Sequence, residues 1–188
     1  MDHRTIFSID NTEYEAWKML YERWPGYGYE GKFLEQYLTT KLIPHPRGGV
    51  LLDVAARSSP YWILCREQFG MDTYRQDLCY KDADDHTFGG YASSIPLPDD
   101  SVDTITLHCS FEHFEGDGDS EAVAEFERLL KPGGQACIIP LYLMNPHQEE
   151  PVRFYTMDTL IERVCNITTM EWKIVDTPRK PALIFSNS

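Results

Sequence analysis

The sequence has no apolar run of the roughly 18 residues that a membrane-spanning helix needs. Met1-Asp2-His3-Arg4 leads into no long apolar core of the secretory kind. Both absences point away from a membrane partner. Positive charge is scarce: 17 Lys and Arg stand against 30 Asp and Glu, a formal net charge of −13. A surface of that sign repels phosphate backbones, which argues against nucleic acid. Cysteine is sparse. The five, Cys65, Cys79, Cys109, Cys137 and Cys165, are odd in number and contain no C-x-x-C pair. That excludes a disulfide frame or a zinc site and suits reduced thiols in a cytoplasmic setting. Repeats and low-complexity tracts are missing too. What remains, 42% hydrophobic and 25% charged over 188 residues, is the composition of one globular domain.

Hydrophobic period divides that domain into a helical cap over 1–47 and an α/β core over 48–188. Residues 1–10 read as an extended arm. Asp10 and Glu13 stand at capping-box spacing. Tyr14, Trp17, Leu20, Tyr21 and Trp24 then recur at helical spacing until Pro25-Gly26 stops them. Such a stripe is first of all core packing, with contact to a substrate as the second reading. A second helix carries Phe33, Leu34, Tyr37, Leu38 and Lys41. After Pro44–Gly49, strands are expected at 50–54, 71–77, 88–92, 102–108 and 135–142. Helices at 60–69, around Ala122–Leu130 and at 156–164 alternate with them. Strands 172–175 and 182–185 close as an antiparallel hairpin. Strands alternating with helices predict right-handed crossovers and a parallel sheet.

The organising stretch is Val50-Leu51-Leu52-Asp53-Val54-Ala55-Ala56-Arg57-Ser58-Ser59-Pro60. An apolar strand ends in a carboxylate, a turn of small residues follows, and Ser59 caps a helix whose first position is Pro60. Strand, tight turn and helix N-terminus in that order make a nucleotide-binding corner. Asp77 ends the next strand, near the ~20-residue spacing at which a carboxylate takes the two hydroxyls of a ribose. Its plainer role is a turn or cap residue.

Asp53, Asp77, the run Ala92-Ser93-Ser94-Ile95-Pro96-Leu97-Pro98-Asp99-Asp100-Ser101-Val102-Asp103, the segment Leu107–Phe114, and Arg128-Leu129-Leu130-Lys131-Pro132-Gly133-Gly134 follow in that order. Together they resemble the class I S-adenosylmethionine-dependent methyltransferases of the small-molecule, type 11-like kind, over roughly residues 48–188. The resemblance implies a Rossmann-like three-layer sandwich with a seven-stranded, mostly parallel sheet of order 3-2-1-4-5-7-6. It implies S-adenosylmethionine as cofactor. Asp53, Ala55, Arg57 and Ser59 would form the turn at its methionine end, Asp77 would hold the ribose, and Leu78, Tyr91 and Ala92 would border the adenine. The backbone of His108 and Cys109 would flank the amino group.

Two positions depart from the pattern. Ala55, Arg57 and Ser59 stand where the family has glycines, which permit positive φ and close approach. Arg57 either pairs with the cofactor's carboxylate or fills the space. Tyr91 stands where an Asp usually accepts from the adenine amine; it stacks, bonds through its hydroxyl, or blocks. Two functions follow: a working methyltransferase, or a methyltransferase-like binding or scaffold protein that has lost the cofactor.

The loop Glu112, His113, Glu115, Asp117 and Asp119 lies after the fourth core strand, over the expected substrate mouth. A solvated acidic loop is the first reading and a Mg²⁺ or Ca²⁺ site the second; no metal ligands are assigned. His113 is the candidate catalytic base, since histidine takes a proton at neutral pH, with bracing of the loop as the alternative. His108 reads as structural and Cys109 as a small packing residue. The resemblance suggests a sugar or polysaccharide-pathway hydroxyl as acceptor, with an amine or carbon centre next. The connection from Leu141 to Thr156 is a short lid. The aromatics Tyr14, Trp17, Tyr21, Trp24, Tyr27 and Tyr29, or the second subunit of a homodimer, would complete the wall.

Overall fold

The computed structural model describes residues 4–28, 30–81, 84–143 and 153–188; Tyr29 and most of the lid before Arg153 lie outside the described residues. The chain opens with a short strand β1 (Arg4–Ile6). Asp10 Oδ1 then accepts from the N–H groups of Thr12 and Glu13, at 2.8 and 3.0 Å, and starts α1 (Asn11–Met19). The Glu13 carboxylate does not complete the capping box; it pairs with Lys41 and accepts from the Tyr37 hydroxyl. After a 3-10 turn at Leu20–Arg23 comes α2 (Glu30–Leu42). The core then runs β2 (Val50–Val54), α3 (Tyr61–Phe69), β3 (Asp72–Asp77), β4 (Thr87–Gly89) and β5 (Val102–His108). It continues with α4 (Gly118–Leu129), β6 (Leu130–Ile139), α5 (Met157–Leu160), β7 (Glu171–Asp176) and β8 (Ala182–Ser186). Among the described residues no helix is long and apolar enough to cross a membrane.

One sheet takes every strand, in the order β4-β3-β2-β5-β6-β8-β7-β1. Counted from β2, this is 3-2-1-4-5-7-6. Only β8 runs against its neighbours. The N-terminal arm adds an eighth strand at the far edge, where Arg4–Ile6 pairs in parallel with Ile174–Asp176.

Several boundaries differ from the sequence expectation: the helix expected at 156–164 is α-helical over Met157–Leu160 and a π turn over Ile161–Cys165, and others shift by a residue. The third core strand is Thr87–Gly89 and not 88–92, because Gly90 turns away at φ 110° and Gln76 donates to its carbonyl. The fifth begins at Leu130 and not at Gln135. Lys131–Gly134 is a bulge within the strand, pinned by Asn187, whose carbonyl accepts from Gly133 N–H at 2.7 Å and whose side chain donates to Leu130 O at 2.6 Å. It ends at Ile139, before Pro140, which has no N–H for the ladder.

The two motifs that carry the resemblance bind each other. Arg128 donates to the carbonyls of Ile95 and Leu97 and to Asp99, Glu125 holds the Ile95 N–H at 2.7 Å, and Lys131 pairs with Asp103 at 2.7 Å. Asp103 in turn accepts from Val50 N–H, at the start of β2. Their work is to hold β2, β5 and β6 in register, away from the crevice.

The aromatic stripe of α1 is core. Tyr14, Trp17 and Tyr21 pack with Leu51, Tyr61, Leu64 and Met71. Leu38 and Ile43 pack with Cys137, Ile139, Val175 and Ile184. The helices of residues 1–47 are thus tied to the sheet by apolar burial. That seats α2 beside the carboxyl ends of β2 and β5, where the strand order reverses and an open α/β sheet forms its crevice.

Candidate functional site

The crevice is built first from the β2 turn. Ala55 and Arg57 hold φ of 52° and 41°, the left-handed conformation that glycine enters freely and other residues enter at a cost. Two of the three positions where the resemblance expects glycine, 55 and 57 but not Ser59, therefore hold a glycine-like backbone. Neighbouring strands hold them there. Gln76 Oε1 accepts from Ala55 N–H at 3.2 Å, Gln76 O from Ala56 N–H at 3.0 Å, and Asp77 Oδ2 from Arg57 N–H at 2.9 Å. Tyr80 donates to Arg57 O at 2.6 Å. The Arg57 side chain is exposed, so it does not fill the crevice. Ser59 gains a hydroxyl that glycine lacks; it accepts from Tyr61 N–H at 3.2 Å and from Gln36 Nε2 at 3.0 Å, joining the turn to the helical cap.

Two abutting cavities open along this turn. The larger, about 360 Å³, is bounded by Asp53, the turn 54–59, Asp77, Leu78, His108, Cys109 and His113, with Tyr27, Lys32 and Gln36 from the cap. The smaller, about 210 Å³, lies beside Ala55, Gln76, Leu78, Gly90, Tyr91, Ala92 and His113. All eleven residues singled out from the sequence border one or both. Tyr91 is 73% exposed and stands at the rim without closing it.

Beneath the floor lies a buried polar pair. Asp53 is 1% exposed; its Oδ1 accepts from Thr106 Oγ1 at 3.0 Å and lies 3.6 Å from His108 Nδ1. Thr39 spends its proton on Glu35 O, so His108 Nε2, 3.0 Å away, is the donor of that contact. In a neutral His108, Nδ1 is then an acceptor. Asp53 Oδ2 and His108 Nδ1 are both buried without a partner. Two acceptors side by side lack a donor.

Asp77 is 7% exposed and accepts from Cys79 N–H at 2.8 Å as well as from Arg57. Each carboxylate oxygen keeps lone-pair capacity for a ligand hydroxyl. Cys109 also holds a positive φ, 51°, and its thiol donates to the fully buried Glu35 at 2.7 Å. Burial and the Glu35 charge push that thiol up to about 12, so it stays protonated and is no nucleophile. Glu35 is also paired with Arg179 at 2.7 Å.

His113 ends a 3-10 turn at Phe111–His113, is exposed, and borders both cavities. The acidic loop around it is not uniform. Asp119 is fully buried, paired with Arg153 and Arg163 at 2.7 and 2.8 Å and bonded by the Tyr155 hydroxyl at 2.7 Å. Glu112 is 6% exposed with Oε2 unpartnered, and burial raises its pKa above the usual carboxylate value. Among the described residues no three His, Cys, Asp or Glu side chains converge as for a metal ion. Sequence reasoning passed over Gln76, Gln36 and Lys32. Only Gln76 carried a signal, as a polar residue inside a buried strand next to Asp77.

Residues 58–138 match a family profile described as "Methyltransferase domain". Uncharacterized protein YafE of Escherichia coli (strain K12) is 33% identical over 86 residues, which are 44% of this chain and 40% of that protein. Demethylmenaquinone methyltransferase of Listeria welshimeri is 29% identical over 116 residues, 53% of this chain and 48% of that one. The matched part thus spans less than half the length of either relative. A crystal structure of a SAM-dependent methyltransferase from Aquifex aeolicus superposes with a TM-score of 0.62 at 16% identity, over 95% of this chain and 98% of that one.

Proposed function

We propose that the chain is a working class I S-adenosylmethionine-dependent methyltransferase, a reading supported by the methyltransferase-domain match over residues 58–138 and by the shared fold, and that it transfers the methyl group to a small-molecule acceptor. The observation that carries this is the β2 turn. Its backbone is left-handed at Ala55 and Arg57 and the larger cavity beside it is open, although neither residue is glycine.

S-adenosylmethionine supplies an electrophilic methyl on a sulfonium. The chain's own residues bind and orient. Asp53 and His108 offer the two unfilled acceptors to the amino group. Asp77 offers its remaining lone pairs to the ribose. Leu78, Tyr91 and Ala92 border the adenine from the smaller cavity. Holding acceptor and donor in line supplies most of the rate. His113, at the junction of the two cavities, takes the acceptor's proton.

For the acceptor we keep the hydroxyl of a sugar-like molecule, supported by the polar residues of the mouth at His113, Glu115 and Glu121. Demethylmenaquinone, from the name of the Listeria relative, is the competing acceptor. Titration with S-adenosylhomocysteine by calorimetry tests the reading. Saturable one-to-one heat is expected, whereas its absence makes the chain a scaffold. Labelled methyl transfer to a panel of sugars, amines and quinols then selects the acceptor. Light scattering tests the homodimer, and a clean monomer removes it.

A further inference from the structure

Resting on the methyl-donor reading above, we propose that Lys32 of the helical cap binds the carboxylate at the amino-acid end of the cofactor, in place of the strand–turn–helix corner.

The corner has little left to give an anion. The N–H groups of Ala55, Ala56, Arg57 and Ser59 are all spent on Gln76, Asp77 and Ala56 itself. Charge at that end must come from elsewhere. The larger cavity has two fixed cations on its wall, Arg57 and Lys32. Arg57 belongs to the ribose side of the turn: its N–H holds Asp77, its carbonyl holds Tyr80, and its side chain is exposed. Lys32 belongs to the opposite side. It is half-buried, and its charge acts on the Cys109 thiol, one residue beyond His108.

Lys32 also has nothing else to do. It makes no hydrogen bond, ion pair or ring contact among the described residues. Of the other described lysines, Lys18, Lys41 and Lys131 are in ion pairs, Lys180 covers the Tyr142 ring, and Lys81 and Lys173 stand exposed. Lys32 differs from those two in being half-buried on a cavity wall with no carboxylate bonded to it. It stands in the first turn of α2, where the helix dipole opposes a cation. A bound carboxylate offsets both costs. The receivers are then arranged for a zwitterion, with the unfilled acceptors of Asp53 and His108 for the ammonium and Lys32 for the carboxylate.

The test compares two ligands by calorimetry on the full chain. S-adenosylhomocysteine has the amino-acid end, and 5′-methylthioadenosine lacks it. Lys32→Met should weaken S-adenosylhomocysteine about 10- to 100-fold, as expected for loss of a charged hydrogen bond. It should leave 5′-methylthioadenosine unchanged, which also shows that the fold is intact. Lys32→Arg should restore most of the affinity. The preference for S-adenosylhomocysteine should fall with added salt in wild type and hardly at all in Lys32→Met. The assignment is overturned if Lys32→Met binds S-adenosylhomocysteine as wild type does, if both ligands weaken equally, or if Arg57→Ala and not Lys32→Met removes the preference. Wild type binding neither ligand would instead overturn the methyl-donor reading, and Lys32 with it.

Discussion

Putting glycine into the β2 turn should stabilise the protein. A left-handed conformation costs a non-glycine residue about 1–2 kcal/mol, and Ala55 and Arg57 each occupy it, at φ 52° and 41°. Glycine removes that strain but gives the unfolded chain more freedom, a loss of about 0.5–1 kcal/mol. The balance is a gain of about 0.5–1 kcal/mol for Ala55→Gly or Arg57→Gly alone. In a domain of this size that is about 1–4 °C in Tm. The two residues share the Gln76–Asp77 scaffold, so the double substitution need not be additive. Ala56 is the internal control. It lies between them, is buried, and is absent from the left-handed positions. Ala56→Gly should therefore destabilise by about 0.5–1 kcal/mol. Urea unfolding read by tryptophan fluorescence, at constant m, measures all three. If the outer two substitutions destabilise as much as the middle one, the turn is not left-handed in solution and the cavity beside it has another shape.

The remaining expectations concern side chains. Glu112 is raised by burial, so its penalty is absent below the unfolded pKa and grows as pH rises through it towards the folded value; Glu112→Gln should exceed wild type in Tm at neutral pH, with the difference shrinking as pH falls below the ordinary carboxylate range. Asp119 behaves oppositely. Burial raises its pKa, but bonds from Arg163, Tyr155 and Arg153 together outweigh that and hold it low. Its stabilisation is therefore present above the unfolded pKa and lost as pH falls through the folded one, and Asp119→Asn should abolish that part of the acid transition in a Tm series against pH. Arg128→Ala, which frees two carbonyls and two carboxylates, should cost about 1–3 kcal/mol in urea unfolding, discounted for the exposed Asp99, while leaving S-adenosylhomocysteine affinity intact in the folded fraction. His113→Ala should leave cofactor affinity unchanged and lower kcat about 10²-fold or more on the acceptor found by the panel; undiminished turnover would remove it as the base.

The sheet was legible because its signals are local. The β-branched run Val102–His108 became β5 with the expected limits, and Asp53 and Asp77 fell at the carboxyl ends of β2 and β3. Boundaries slipped where a distant residue decided them. Asn187 draws Lys131–Gly134 into β6, and Gln76 fixes the turn at Gly90. The most recognisable motifs turned out to be clamps, since Arg128 and Asp103 hold strands and touch no cavity. Recognisability and chemistry are separate properties of a residue.

By itself the sequence determined the crevice. Period, turn residues and the order of strands and helices place a carboxylate-ended strand before a tight turn, and these are properties of neighbours along the chain. It also puts Ala55, Arg57 and Ser59 where the resemblance expects glycines. Whether the turn forms without them was decided by tertiary structure, through bonds from β3 that force Ala55 and Arg57 into the glycine conformation. The same holds for charge. Residues 35 and 179 are far apart in sequence, yet Glu35 is neutralised by Arg179 while Lys32 faces the crevice with no carboxylate bonded to it. Spacing along a chain says which charges exist. Only the folded contacts say which remain unspent, and those are the ones available to a ligand.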